Sequence, residues 1–430
     1  MRALIISILL WIGLYSIKAF AQEDLFGAYL DPMVDELFIP GYYLAVFDKS
    51  GKIYERGYGF ADALDGLVPS GEVLYSVQSL TKPLTSLLIL RLVDQGLLEL
   101  SAPLSKYLPE FEDLSILNSS YSGTFNKITI ENLLTHTSGL TYSSLFNGLG
   151  DVPEIYRQEN IMPFEGKSNS SMGTLRQQVG KLSKLPLKSE PGERFEYSVS
   201  LDVLGRVAEV VSGESLSSLI ERLVFDPLEM RDSYFSVPDS AEDKLSRLYS
   251  PLTRTYPIPG NYKRFQEYDD LAETSKNFGQ TGMAYESGGH GIISSANDYG
   301  KFLRFILNYE ATVNSTFLSE DLFRSFLSDH INQLGREKGM EDSLPELAGK
   351  GFSFGLGIEL DDGGDFADSS TYDYYFWDAT PEWAPGVNSH FWIDKDLGLG
   401  LVYFGSLMSS ETRLTDKTHE IAEKFFGKTH

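Results

Sequence analysis

The sequence predicts an α/β (α+β) fold, in which an antiparallel sheet is flanked by helices and carries a mostly helical inserted subdomain. Strand-like segments occur near both ends of the chain, whereas residues 97–285 are mostly helical and rich in loops. A sheet has to bury its apolar face, and helices packed on it are one of the few stable ways of doing so. We therefore assign one domain to residues 22–430, with the sheet region at about 22–96 and 286–430 and the helical region at about 97–285.

The first 21 residues have the pattern of a secretory signal peptide. Arg2 supplies a positive charge, residues 3–17 are mainly apolar, and residues 19–21 (Ala-Phe-Ala) form a small-residue cleavage site. The apolar stretch is short for a membrane span, with an uncleaved anchor as the alternative. We expect cleavage before Gln22, which predicts a periplasmic or secreted protein with no stable membrane anchor.

Composition narrows the possible functions. Of the 430 residues, 42% are hydrophobic, which is enough for a sizeable core. The net charge of −25 argues against nucleic acid and anionic membranes as partners, because both would repel it. The chain has no cysteine, so disulfides and a thiol nucleophile are excluded. The histidines are scattered without ligand spacing, and we predict neither a metal nor a cofactor. The sequence leaves the oligomeric state open.

Periodicity and turn residues place the elements in order. Residues 22–40 contain a leading helix, and a β-hairpin follows with strands at 41–47 and 52–58. Further helices are predicted at 201–211, 216–224, 292–307 and 411–426. The helix at 292–307 is expected to begin on the capping residues Ser294 and Ser295. Strands are predicted at 352–360, 387–393 and 399–405.

Ser79 and Lys82 form a Ser-x-x-Lys pair at the start of a predicted helix. Residues 84–95 are apolar, and Pro83 fits only in a first helical turn because it has no N–H. Residues three apart share a helix face, so the amine of Lys82 can reach the hydroxyl of Ser79. The helix N-terminus and burial both disfavour a protonated lysine, which can then accept the serine proton. The pair favours an acyl-transfer site, although so short a pattern also arises by chance.

Several stretches follow one another along the chain in an order that belongs to a known superfamily. They are Gly57-Tyr58-Gly59-x-Ala61-Asp62, Ser79-x-x-Lys82-Pro83, Leu133-Leu134-Thr135-His136-Thr137-Ser138-Gly139-Leu140, Pro191-Gly192-x-x-Phe195-x-Tyr197-Ser198, Asp202-Val203-Leu204-Gly205, Asp226-Pro227-Leu228-x-Met230-x-Asp232-Ser233 and Gly288-Gly289-x-Gly291-Ile292-x-Ser294-x-x-Asp298-Tyr299. Together they resemble the serine β-lactamase and penicillin-binding-protein superfamily, and most of all class C β-lactamases and family VIII carboxylesterases. The resemblance implies a β-lactamase/DD-peptidase-like fold for the catalytic domain.

The same resemblance implies roles for particular residues. Ser79 would be the nucleophile, and Lys82 and Tyr197 would share the proton transfers that form and hydrolyse an acyl-enzyme. The backbone N–H groups of Ser79 and Gly386 would form the oxyanion hole. From the residues alone, a buried tyrosine with a satisfied hydroxyl is the favoured interpretation of Tyr197, and the resemblance is what favours a catalytic role.

Two departures from the family pattern favour an esterase. Val199 stands where β-lactamases and peptidases have an asparagine that would bind an acyl-amide side chain. Trp383, Ala384 and Pro385 stand where those enzymes have Lys-Thr-Gly, so a substrate carboxylate loses its charge partner. An uncharged small-molecule ester loses nothing, and Trp383, Val199 and His290 are predicted to contact it. A shift of one residue in this alignment would put Pro385, which has no N–H, in the oxyanion hole.

Other functions stay open at this stage. A β-lactamase or D-alanyl carboxypeptidase, an acyltransferase, and a catalytically silent peptidoglycan-binding homologue are the alternatives. Residues 351–355 also match Gly-x-Ser-x-Gly, but that motif requires a strand, a sharp turn and a helix. A strand is predicted after Ser353 instead. The candidate acid and histidine, Asp378 and His390, lie very close to it in sequence, so we do not assign Ser353 as the nucleophile. His136 is interpreted as a structural histidine.

Overall fold

The computed structural model describes residues 24–36, 39–63, 65–117, 127–143, 150–161, 173–251, 265–267, 285–308, 317–331, 350–359, 371–374, 387–408 and 414–427. The predicted signal peptide lies outside these residues. The same is true of Trp383, Pro385, Gly386 and Asp378.

The described α-helices follow the chain as α1 (Leu25–Asp35), α2 (Thr81–Asp94), α3 (Ile130–Leu134), α4 (Asp151–Gln158), α5 (Leu175–Leu182), α6 (Ser200–Ser212), α7 (Leu216–Ile220), α8 (Asp226–Leu228), α9 (Ala296–Leu307), α10 (Glu320–Phe326) and α11 (Leu414–Phe426). A π-helical turn, Glu221–Phe225, joins α7 to α8. Short 3-10 turns occur at Gln78–Leu80, Leu104–Lys106, Pro109–Phe111 and Asp239–Lys244.

The strands are β1 (Gly41–Phe47), β2 (Lys52–Gly59), β3 (Leu74–Ser76), β4 (Ser233–Tyr234), β5 (Tyr249–Pro251), β6 (Phe265–Glu267), β7 (Ile293–Ser295), β8 (Gly351–Phe352), β9 (Gly357–Ile358), β10 (Thr371–Tyr374), β11 (Val387–Asp394) and β12 (Leu399–Met408). The main sheet has the order β10-β11-β12-β1-β2, and its neighbours are antiparallel. β12 and β1 pair with Tyr42 opposite Gly405. The two ends of the chain therefore share one sheet, and the predicted fold class is confirmed.

β1 divides the interior into two cores because successive side chains of a strand point to opposite faces. Tyr43, Ala45 and Phe47 face a large core that contains α2, α6 and α9. Tyr42, Leu44 and Val46 face a smaller core with α1 and α11. The apolar helix α2 is buried around most of its circumference, from Thr81 to Leu90, as expected for a helix at the centre of a domain.

The predicted helix ends are partly right. α6 ends where expected, because Gly213 follows it with φ 75° and serves as its left-handed C-cap. The helix predicted over 292–307 is wrong at its start, since residues 293–295 form β7 and pair with β3. Ser295 does cap the helix that follows, and its hydroxyl accepts from the Asp298 N–H.

The single strand predicted over 352–360 is also wrong. β8 and β9 form a tight antiparallel hairpin, with Gly351 opposite Ile358. The turn between them includes Gly355 at φ 88°, a backbone conformation that a glycine adopts without a steric penalty. A run of apolar residues cannot by itself distinguish one strand from two strands joined by such a turn.

Among the described residues, no helix combines the length and apolar character needed to cross a bilayer.

Candidate active site

A strand, a 3-10 turn and a helix place Ser79 at the centre of the large core. β3 ends at Ser76, Ser79 lies in the turn Gln78–Leu80, and α2 begins at Thr81. The α-helix thus begins two residues after Ser79, and the first turn contains Pro83 as expected. Gln78 has φ 48°, although it is not a glycine, and its side-chain amide donates to Ser76 Oγ at 2.8 Å. Such strained residues cost about 1–3 kcal/mol and cluster at functional sites.

Lys82 lies one turn after Ser79 and is fully buried. Its Nζ is 2.7 Å from Ser79 Oγ and 2.8 Å from the carbonyl oxygen of Gly289. Burial lowers the pKa of Lys82 to about 7, with the charge of Asp202 acting in the opposite direction. The neutral amine that proton abstraction requires is therefore well populated near neutral pH.

The ring of Tyr197 packs beside the amine of Lys82. The centroid of its ring lies 4.6 Å from Lys82 Nζ, and its side chain is 1% exposed. The ring packs against those of His136, at 4.8 Å, and Tyr142, at 5.5 Å. The backbone is held as well, because the Glu196 N–H donates to the His136 carbonyl at 2.7 Å. The predicted catalytic trio of Ser79, Lys82 and Tyr197 is thus gathered in one place.

His136 is neutral and held by the backbone. Burial, and then the charge of Lys82, lower its pKa well below the ordinary value. The Ser198 N–H donates to His136 Nδ1 at 3.2 Å, so the ring proton is on Nε2. These contacts fit the interpretation of His136 as a structural histidine.

Of the other residues predicted to contact the substrate or the oxyanion, the structure describes Val199 and His290. Val199 is buried immediately before α6. His290 is buried too, with Nδ1 2.8 Å from Ser287 Oγ, and burial lowers its pKa to about 3. Both lie close in sequence to residues that contact Lys82, and their contact with substrate stays a prediction. Trp383 and the oxyanion donor Gly386 lie outside the described residues.

Asp202 is the functional candidate that the sequence did not single out. It appears in a family motif, but an acidic residue in the first turn of a helix ordinarily needs no explanation beyond the helix dipole. Here it is fully buried, and its Oδ1 accepts from Tyr285 at 2.9 Å and from Ser287 at 2.5 Å. Periodicity could have placed Asp202 on a buried face of α6, but its partners lie more than 80 residues away.

Ser353 lies in a context that does not fit a nucleophile elbow. It sits in the turn between β8 and β9, so a strand and not a helix follows it. His390 belongs to β11, and its Nε2 lies 3.1 Å from Thr418 on α11, on the side of the smaller core. Within the described ranges, no group of three or more metal-ligating side chains occurs.

The fold and this site define a class of protein. An antiparallel sheet between helices, with a buried Ser-x-x-Lys pair at the start of the central helix and a tyrosine beside the amine, is an arrangement for acyl transfer through a serine. The family profile described as Beta-lactamase matches residues 26–424. The chain belongs to the β-lactamase family.

The relatives of the chain include an esterase. Esterase EstB of Burkholderia gladioli is 32% identical to the chain over 372 residues, which is 84% of either sequence. Two solved structures share the fold. The hydrolase EstCE1, described as having promiscuous acyltransferase activity, matches with a TM-score of 0.68 at 23% identity, over 89% of this chain and 93% of its own. Simvastatin synthase (LovD) from Aspergillus terreus matches with a TM-score of 0.69 at 20% identity, over 93% and 96%. The chain is a serine hydrolase with esterase relatives.

Proposed function

We propose that this protein is an exported carboxylesterase that hydrolyses small or medium carboxylic esters through an acyl-enzyme on Ser79. The observation that carries the proposal is the 2.7 Å contact between Ser79 Oγ and the fully buried amine of Lys82. A lysine whose pKa burial has lowered to about 7 is a base suited to neutral pH, because general-base catalysis is most efficient near the operating pH.

In this mechanism Ser79 attacks the ester carbonyl carbon while its proton passes to Lys82 Nζ. The N–H groups of Ser79 and Gly386 hold the oxyanion. Lys82 and Tyr197 then deliver the proton to the departing alkoxide, and the acyl group stays on Ser79 Oγ. Water, deprotonated by the same two side chains, hydrolyses the acyl-enzyme and returns the proton to Ser79.

The substrate class follows from Val199 and Trp383. A buried apolar side chain next to the start of α6 offers no hydrogen bond to an acyl-amide group. The tryptophan removes the cation that would pair with a carboxylate. A neutral ester has neither a carboxylate nor an acyl-amide group to pair in this pocket. A β-lactam or a peptide would leave its carboxylate and its amide without partners there. Trp383 and His290 are proposed to line the ester pocket.

Hydrolysis of short p-nitrophenyl esters and of nitrocefin by the mature protein tests this function. We expect ester turnover with little nitrocefin turnover, and loss of ester turnover in Ser79→Ala. Ser353→Ala is the matched control, because it removes a second buried serine hydroxyl and is expected to retain ester turnover. Strong nitrocefin turnover would favour a β-lactamase, and an active Ser79→Ala would overturn the assignment of the nucleophile.

Export is proposed on the pattern of residues 1–21. The test is expression of the full chain in a bacterial host, followed by N-terminal sequencing of the protein in the periplasm and the medium. Export predicts a mature chain beginning at Gln22. A chain that retains its first 21 residues in the cytoplasmic fraction would contradict the proposal.

A further inference from the structure

Asp202 is a fully buried carboxylate that the acyl-transfer steps above do not use. It lies in the first turn of α6, five residues after Tyr197. Its Oδ1 accepts hydrogen bonds from Tyr285 and Ser287, and its Oδ2 lies against Gly289. A Cβ added at Gly289 would come within 2.7 Å of that oxygen, so the absence of a side chain there allows the close approach.

The backbone of Gly289 connects this carboxylate to the amine. Its carbonyl oxygen is 2.8 Å from Lys82 Nζ, while its α-carbon side faces Asp202. The neighbouring residue fixes the same turn, because Thr85 on α2 donates to the Gly288 carbonyl at 2.7 Å. A turn held in this way fixes the separation between Asp202 and Lys82.

The other titratable groups around Lys82 cannot supply a negative charge. His136 and His290 are buried and their pKa values are lowered, which leaves both neutral. The rings of Tyr142 and Tyr197 face the amine, and neither residue carries a carboxylate. Among the described residues, the carboxylate that acts on Lys82 is that of Asp202.

We infer that Asp202 is a positioning residue of this site, whose carboxylate, acting across Gly289, compensates the positive charge that Lys82 gains when it takes the Ser79 proton. The Oγ–H bond breaks, an Nζ–H bond forms, and the new ammonium lies across Gly289 from the carboxylate of Asp202. Without that carboxylate, proton transfer would create an isolated charge in the core, which is costly. Burial raises the pKa of Asp202, and the hydrogen bond from Ser287, the charge of Lys82 and the hydrogen bond from Tyr285 oppose that rise. This inference rests on the proposed function in taking Ser79 and Lys82 as the reacting pair.

The test is the pH dependence of Asp202→Asn, which keeps the shape of the side chain and removes its charge. Loss of the carboxylate makes the ammonium of Lys82 less stable, so the acid limb of the kcat/KM profile is expected to move to lower pH by about one unit. The plateau is expected to fall by about tenfold, because Lys82 becomes a weaker base. A thermal melt establishes that the variant is folded.

Ser287→Ala is the matched control, because it removes a hydrogen bond to Asp202 and leaves the charge in place. Its acid limb is expected to stay where it is or to move to higher pH. If Asp202 only held the turn at 287–290, both variants would lose activity at every pH with no shift in the limb. That result, or a limb that moves to higher pH in Asp202→Asn, would overturn the inference. Should Asp202→Asn not fold, a downward shift in Ser287→Ala would overturn it equally.

Covalent labelling separates this inference from the esterase proposal. The rate at which an activated alkyl p-nitrophenyl phosphonate labels Ser79 is measured against pH in wild type, Asp202→Asn and Ser287→Ala. Labelling needs no ester substrate, so a limb that shifts only in Asp202→Asn supports the inference even if no ester is turned over. A limb that is identical in all three proteins contradicts it, whatever esters the protein hydrolyses.

Discussion

The ring of Tyr197 lies over the amine of Lys82, with its centroid 4.6 Å from Nζ. The two residues are 115 positions apart in the chain, and both are buried. Because a tyrosine hydroxyl and a lysine amine can exchange one proton, the proposed mechanism uses these two residues to carry the proton from the serine to the leaving group.

Removing the hydroxyl of Tyr197 tests this route. Tyr197→Phe keeps the ring that packs on His136 and Lys82, so the fold is expected to be retained. Loss of one proton-transfer group is expected to lower kcat by about 10²-fold or more. Tyr156→Phe is the matched control, since it removes another buried hydroxyl, one that donates to the Pro186 carbonyl outside the site. Equal losses in the two variants would indicate a structural effect only.

Lys82→Met tests whether Lys82 acts as the base, because it removes the amine and keeps most of the side-chain volume. The variant fills a similar volume, and kcat/KM is expected to fall by about 10²–10⁴-fold because Ser79 loses its base. Ester hydrolysis at several pH values gives the size of the loss. Retention of full activity would show that another group deprotonates Ser79.

The same lysine predicts how stability depends on pH. Burial lowers its pKa to about 7 from the ordinary value of 10.5, so between these values the unfolded chain binds the proton that the folded chain does not. The contribution of Lys82 to the free energy of unfolding therefore rises from pH 7 to about 10.5, by an amount on the order of a few kcal/mol. Urea unfolding across this range should lose that rise in Lys82→Met and keep it when the exposed Lys106 is changed to Met. An identical pH slope in wild type and Lys82→Met would contradict the lowered pKa.

Gly289→Ala is expected to damage the site directly. The added Cβ would come within 2.7 Å of Asp202 Oδ2, so either the carboxylate or the turn has to move. We expect a loss of about 1–3 kcal/mol in the free energy of unfolding together with reduced kcat/KM. Gly180→Ala on α5 meets nothing within 4 Å and should be neutral or slightly stabilising. A Gly289→Ala protein with wild-type activity would show that the close approach is dispensable.

A contact between His419 and Asp394, on the side of the sheet that faces the smaller core, predicts that the stability of the protein decreases at acidic pH. His419 Nε2 lies 2.9 Å from Asp394 Oδ2, and although burial alone would raise the pKa of Asp394, this contact and the Leu397 N–H lower it. A lowered carboxyl pKa contributes stability that is present above the unfolded pKa and is lost as pH falls through the folded one. His419→Gln should therefore destabilise the protein by about 1–3 kcal/mol at pH 7 and by less at pH 3, measured by urea unfolding.

Lys417→Gln is the control for that prediction, because it breaks an exposed pair with Glu420 on the same helix. Such a pair contributes little, and the free energy of unfolding should hardly change. A His419→Gln effect that is equal at pH 7 and pH 3 would mean that packing, and not the charge of Asp394, is responsible.

Local patterns account for much of what the sequence predicted correctly. Alternation and turn residues located β1 exactly, and a glycine located the end of α6. Predictions from local patterns were wrong where a segment pairs with a strand that is distant in the sequence. Residues 293–295 read as helix but form a strand, because β3 offers them backbone hydrogen bonds.

By itself the sequence determined the contact between Ser79 and Lys82, since a spacing of three residues in helical backbone, here a 3-10 turn that continues into α2, brings two side chains to one face. It also determined that strands at both ends of the chain need a common sheet. Only the tertiary structure decided that the carbonyl of Gly289, 207 residues after Lys82, accepts a hydrogen bond from the lysine amine. The same is true of the position of Asp202 against that turn. The physical reason is that helix and strand periods are set by the backbone over a few residues. The meeting of distant segments depends instead on how the whole core closes, and no short-range pattern encodes that.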